Sequence, residues 1–126
     1  MVANTTLFLA GSIIILVWGI AHIVPTKSVV ASFRRATEDN RRIIKMESIA
    51  EGLTLCFIGG LTLAITKLIG SLNPTAFIVY RACAGMLIAM AVLTGLTGAR
   101  TSIVPIKICP YVKTTVAILF LVGSAL

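Results

Sequence analysis

Four apolar runs dominate this sequence, and each is long enough to cross a bilayer as a helix. They occupy about residues 5–24, 48–69, 75–97 and 108–126. A helix needs about 20 mostly apolar residues to span the hydrocarbon core. Lipid offers the backbone no hydrogen-bond partner, so a spanning segment must satisfy its own backbone groups. The sequence therefore predicts an all-α, integral membrane four-helix bundle that forms a single domain over residues 1–126.

Composition supports a membrane protein and argues against a nucleic-acid partner. The chain is 58% hydrophobic and 12% charged, whereas a soluble domain carries about 25% charged residues. The net charge of +7 arises from loops between apolar runs, and no aromatic-basic motif accompanies it. The cysteines Cys56, Cys83 and Cys109 lack metal-binding spacing. We interpret them as reduced, apolar fillers, and predict no metal site and no cofactor.

The distribution of lysine and arginine predicts the orientation. Lys67 and Arg81 flank the middle connection, and the other basic residues flank the first and third. Because basic loops stay on the cytoplasmic side, both termini are expected on the outer side of the plasma (inner) membrane. Residues 26–37 are expected to form a short amphipathic helix at the headgroups of the first cytoplasmic loop, with Arg34 and Arg35 beside its apolar face.

Polar residues near the cytoplasmic ends of three spans predict a site. His22 ends the first span, Glu47 and Glu51 begin the second, and Lys113 lies early in the fourth. This topology places them at similar depth, and Trp18 lies one turn before His22 on the same face. Charged groups in lipid need partners. We therefore predict a pocket toward the inner leaflet, in which His22, Glu47 and Glu51 are candidates for acid–base catalysis.

The predicted ligand-binding residues are Trp18, His22, Glu51, Lys113 and Arg81. Several of them also have a plain structural interpretation. Glu47 lies in the headgroup layer in that case, and Glu51 forms a salt bridge, with Lys113 or with an arginine, that has no functional role. Arg81, near the outer end of the third span, is either an interfacial anchor or a binding group for an anionic headgroup.

The third span also carries small residues at helical spacing. Gly85 and Ala89 form one such pair, and Ala91 and Gly95 form another. Small residues four positions apart let helices approach closely in lipid. This face is a candidate for contact between copies of the chain in a homo-oligomer.

The end of the first span resembles a known family. The segment Gly19-Ile-Ala-His22-Ile-Val-Pro25 looks like the corresponding helix end in DoxX-like small membrane proteins. That resemblance implies a four-helix bundle, with quinone- or redox-associated roles in some members. A more distant likeness to EXPERA-type bundles, which bind and in some cases isomerise sterols, implies His22, Glu47 and Glu51 as pocket candidates. In that group the histidine and glutamate lie in other helices.

Three functions are consistent with these features. The first is binding of a lipophilic small molecule, such as a lipid, a quinone or an isoprenoid-like compound, in the inner-leaflet pocket. The second is a membrane enzyme, an isomerase or a redox-associated protein, that performs acid–base chemistry on such a substrate. The third is a small transporter or an accessory subunit of a membrane complex.

Overall fold

The computed structural model describes residues 2–31, 33, 35–100 and 104–125, and this part of the chain is almost entirely helical. The helices are α1 (Val2–Ile23), α2 (Thr26–Ala31), α3 (Glu38–Leu68), α4 (Pro74–Leu96) and α5 (Val104–Ala125), with a short 3-10 turn at Gly98–Arg100. Four of them, α1, α3, α4 and α5, are long and apolar enough to cross a membrane. The predicted all-α architecture with four membrane-length helices is confirmed.

Capping residues explain where the second and third long helices begin. The Thr37 side chain accepts a hydrogen bond from the backbone N–H of Asn40 at 3.2 Å, which caps α3. Asn73 caps α4 in the same way, and Pro74 occupies the first position of that helix, where its missing N–H costs nothing. Between the two helices, Gly70 has φ +101°, a conformation that favours glycine.

The helix α3 is longer than a membrane span. Its 31 residues extend about 46 Å at 1.5 Å per residue, against a hydrocarbon core of about 30 Å. The helix therefore exceeds the thickness of the core, and its first turns carry an exposed ion pair between Glu38 and Arg42 at 2.7 Å.

Two segments differ in detail from the sequence prediction. Within the predicted amphipathic segment the helix α2 covers Thr26–Ala31, while Arg34 lies outside the described residues. The helix α5 begins at Val104, four residues before the predicted start of the fourth span. Pro110 consequently lies in the second turn of α5 and not in the first turn, where its missing N–H would have needed no partner.

The order of the helices around the bundle differs from their order along the chain. Helix α1 packs between α3 and α5, α5 packs on α4, and α3 and α4 contact each other over a small area. Part of that contact is a hydrogen bond between Thr66 and the Tyr80 hydroxyl, and the Tyr80 ring stacks on Phe8 of α1 at a centroid distance of 3.7 Å. Helices α1, α3 and α4 therefore pack together at the end of the bundle near the α3–α4 turn.

Helices α1 and α3 approach closely at three glycines. A Cβ built at Gly19, Gly52 or Gly59 would lie 2.8–2.9 Å from a backbone atom of the facing helix. The α4 face predicted to contact another copy is open in the single chain, since a Cβ at Gly85 or Gly95 would have no neighbour within 4 Å. Within the described chain, the glycines of the α1–α3 contact therefore face backbone atoms, whereas Gly11 and Gly123 in the α1–α5 contact face the Phe120 and Phe8 rings.

Candidate functional site

A cavity of about 810 Å³ lies between α3 and α4, away from their connecting turn. Helix α1 forms its back wall, and α2, the start of α5 and the α4–α5 connection contribute to its rim. Most of its wall is apolar: Val29, Phe33, Ile43, Ile44, Leu93 and Ile106 are among the lining residues. The cavity exists because α3 and α4 separate beyond the Thr66–Tyr80 contact.

Polar side chains meet at the inner end of this cavity. We call this group the polar floor, and its members are Trp18, His22, Glu51, Thr94, Cys109 and Lys113. The first four line the cavity, while Cys109 and Lys113 are fully buried and contact them. The Lys113 ammonium forms an ion pair with Glu51 Oε1 and donates to Thr94 Oγ1 at 2.9 Å. The Lys113 side chain is fully buried, whereas the Glu51 side chain is 27% exposed and lines the cavity. A buried charge is costly unless it is paired and hydrogen-bonded, and this lysine is both.

Cys109 is the centre of the remaining contacts. The Trp18 indole N–H donates to Cys109 Sγ at 3.3 Å, and His22 Nε2 lies 3.1 Å from the same sulfur. The thiol is directed toward Glu51 Oε1 at 3.8 Å. With the thiol proton pointing to the carboxylate, His22 donates from Nε2 to the sulfur. The indole also packs edge-on against the imidazole, with centroids 6.0 Å apart.

The structure therefore brings together four of the five predicted ligand-binding residues, Trp18, His22, Glu51 and Lys113. Arg81 lies elsewhere: its guanidinium donates to Ser124 Oγ at 3.1 Å and to the Ser124 carbonyl at 2.9 Å, near the end of α5.

Glu47, the third predicted acid–base residue, lines the same cavity one helical turn nearer the N-terminal end of α3. Its side chain is exposed. It therefore belongs to the rim of the cavity, whereas Glu51 belongs to the polar floor.

The chain has no match that would place it in a known family. Comparisons of the chain with protein-family models, with curated proteins and with solved structures find none. The likeness of the Gly19–Pro25 segment to DoxX-like proteins stays a prediction from sequence.

Sequence reasoning missed two residues of the polar floor. Cys109 was interpreted as an apolar filler, but its sulfur contacts three polar side chains. The available signal was its position four residues before Lys113, which places both on one face of α5. Thr94 gave no signal beyond being a hydroxyl in an apolar helix.

Three of the floor residues could also serve as metal ligands. One donor atom each from His22, Glu51 and Cys109 lies within 4.8 Å of the others, and zinc takes such ligands. The Lys113 ammonium, however, already contacts the Glu51 carboxylate. A metal ion would meet that positive charge at close range in a medium of low dielectric. The arrangement therefore favours the ion pair, and a metal ion would have to displace Lys113.

Proposed function

We propose that this protein binds a small lipophilic molecule in the cavity between α3 and α4, with the polar end of the molecule at the polar floor. The observation that carries this proposal is a largely apolar cavity of about 810 Å³ that ends in one compact polar cluster. Small-molecule sites have this volume, and they combine apolar walls with a few convergent polar groups.

Access from the bilayer supports a lipophilic ligand. The cavity lies between two membrane-length helices that contact each other over a small area, so a molecule dissolved in the lipid can enter sideways between them. With the basic connections on the cytoplasmic side and both termini outside, the cavity would open in the inner leaflet of the plasma membrane.

Filling the cavity is expected to abolish binding. Trp18 is the sole tryptophan of the chain and lines the cavity, so a bound bromododecane would quench its fluorescence. Wild-type protein in detergent is expected to show saturable quenching. The double variant Ala50→Phe/Thr54→Phe places two rings on the cavity wall. It is expected to need an at least tenfold higher bromododecane concentration for half-maximal quenching.

A matched variant lies on the same helix. Ala64→Phe/Leu68→Phe also introduces two phenylalanine rings, about four turns further along α3, at exposed positions outside the cavity lining. It is expected to be quenched like wild type. If both double variants are quenched like wild type, bromododecane reaches Trp18 through the micelle and the cavity is not a binding site.

Acid–base catalysis on the bound molecule is a second candidate. It is favoured by the continuous contacts from His22 through Cys109 to Glu51, because linked donors and acceptors can pass a proton. An enzyme of this kind would catalyse deuterium uptake from heavy water next to the carbonyl of a long-chain ketone. Glu51→Gln would then lose the exchange but keep the ketone bound, whereas no exchange in wild type would reject this candidate.

A further inference from the structure

The hydroxyl groups that line the cavity do not offer their protons to a ligand. Three of them donate to the backbone carbonyl four residues earlier, over 2.6–2.8 Å: Thr54, Thr94 and Thr97. The fourth, Ser48, lies 3.2 Å from Thr26 Oγ1, and the single Thr26 proton goes to the His22 carbonyl at 2.8 Å. Ser48 must therefore be the donor to Thr26, since a hydroxyl carries one proton.

The N–H donors of the polar floor are also engaged with protein atoms. The Trp18 indole and His22 Nε2 both point at Cys109. The Lys113 ammonium is fully buried between Glu51 and Thr94. The floor donors next to the cavity, those of Trp18 and His22, are therefore already used, and the Lys113 ammonium is not exposed to a ligand.

An acceptor, in contrast, faces the cavity. The contacts from Lys113 and Cys109 to Glu51 both use Oε1. Within the described residues 2–31, 33, 35–100 and 104–125, Oε2 receives no hydrogen bond from a side chain, and Glu51 is 27% exposed. A carboxylate oxygen accepts hydrogen bonds but donates none when ionised. The group that completes this site must therefore be a donor.

The charges at the site favour an uncharged ligand. Lys113 already neutralises Glu51, so a ligand ammonium would place two cations on one carboxylate, while an anionic ligand would meet Glu51 and, at the rim, Glu47. We propose that the ligand is an uncharged lipophile with a terminal hydroxyl, a long-chain or isoprenoid alcohol that donates to Glu51 Oε2. This inference rests on the proposed binding function and names the ligand class for the same cavity.

Competition against bromododecane tests whether the ligand is an alcohol. Dodecanol, dodecyl methyl ether and dodecylamine are each titrated into wild-type protein with the quencher bound, and their concentrations are expressed as mole fractions in the micelle. Recovery of Trp18 fluorescence reports displacement. A hydrogen bond to a charged group is stronger than one between neutral groups, and the ether has no proton to donate, so dodecanol is expected to compete roughly tenfold better than the ether or more. The amine is expected to compete less well than the alcohol.

The outcomes distinguish the proposed hydroxyl group of the ligand from the proposed binding of a lipophile in the cavity. Equal competition by alcohol and ether, or better competition by the amine, would overturn the hydroxyl assignment and leave lipophile binding intact. Displacement by none of the probes would overturn both. In Glu51→Gln the carboxamide supplies a donor as well as an acceptor, so the preference for alcohol over ether is expected to shrink toward unity. Asp39→Asn, an exposed acid of the same helix, is expected to keep the wild-type ratio.

Discussion

Gly59→Ala is expected to destabilise the bundle, although alanine favours helices more than glycine does. The new Cβ would lie 2.8 Å from the Leu16 Cβ and 2.9 Å from two backbone atoms of α1, the Leu16 nitrogen and the Ser12 oxygen. Backbone atoms cannot turn aside as a flexible side chain can, so the two helices must move apart. Overpacking of this kind costs about 1–3 kcal/mol, more than the roughly 1 kcal/mol gained from helix propensity.

The neighbouring glycine provides the control. A Cβ at Gly60 meets nothing within 4 Å, so Gly60→Ala is expected to raise stability by up to about 1 kcal/mol. Thermal unfolding in detergent, followed by Trp18 fluorescence, should therefore move in opposite directions for the two variants. If Gly59→Ala unfolds no earlier than wild type, the close contact between α1 and α3 is not what holds these helices together.

The four helices were predictable because length and apolarity alone define a membrane span. The common depth of His22, Glu51 and Lys113 was also predictable, since an up-and-down chain returns to the same side of the membrane with every second connection. Both inferences need only the positions of residues along the chain. They do not require knowledge of which helix faces touch.

Which helices are neighbours was not predictable, because that does depend on which helix faces touch. A helix that is apolar all round carries no stripe that marks its buried side, so nothing in the sequence placed α1 between α3 and α5. The small residues Gly85 and Gly95 have no neighbour within the single chain, while the glycines that do pack closely are Gly19 of α1 with Gly52 and Gly59 of α3. Cys109 escaped notice because a cysteine in an apolar run is usually an apolar filler, and its polar role depends on Trp18 and His22 of another helix.

The largest effect is expected from breaking the buried ion pair. Glu51→Leu removes the partner of an ammonium that is fully buried and leaves it the Thr94 hydroxyl. Removing one partner of a buried pair costs about 3–5 kcal/mol, because the remaining charge is uncompensated. The variant is expected to unfold far earlier than wild type in a thermal scan. Glu38→Gln breaks the exposed pair with Arg42 on the same helix, and is expected to cost about 0.5 kcal/mol at most.

The two partners of this pair should not be equivalent. Lys113→Met leaves a carboxylate that is 27% exposed at the cavity and still contacts Cys109, so its loss of stability should be smaller than that of Glu51→Leu. The double variant Glu51→Leu/Lys113→Met leaves no unpaired buried charge. It should recover most of the stability that Glu51→Leu loses, since apolar groups of similar volume can replace a buried pair. Additive losses in the double variant would show that the two residues are not coupled. Loss of the preference for dodecanol over dodecyl methyl ether in the stable double variant would then separate the role of Glu51 in recognition from its role in folding.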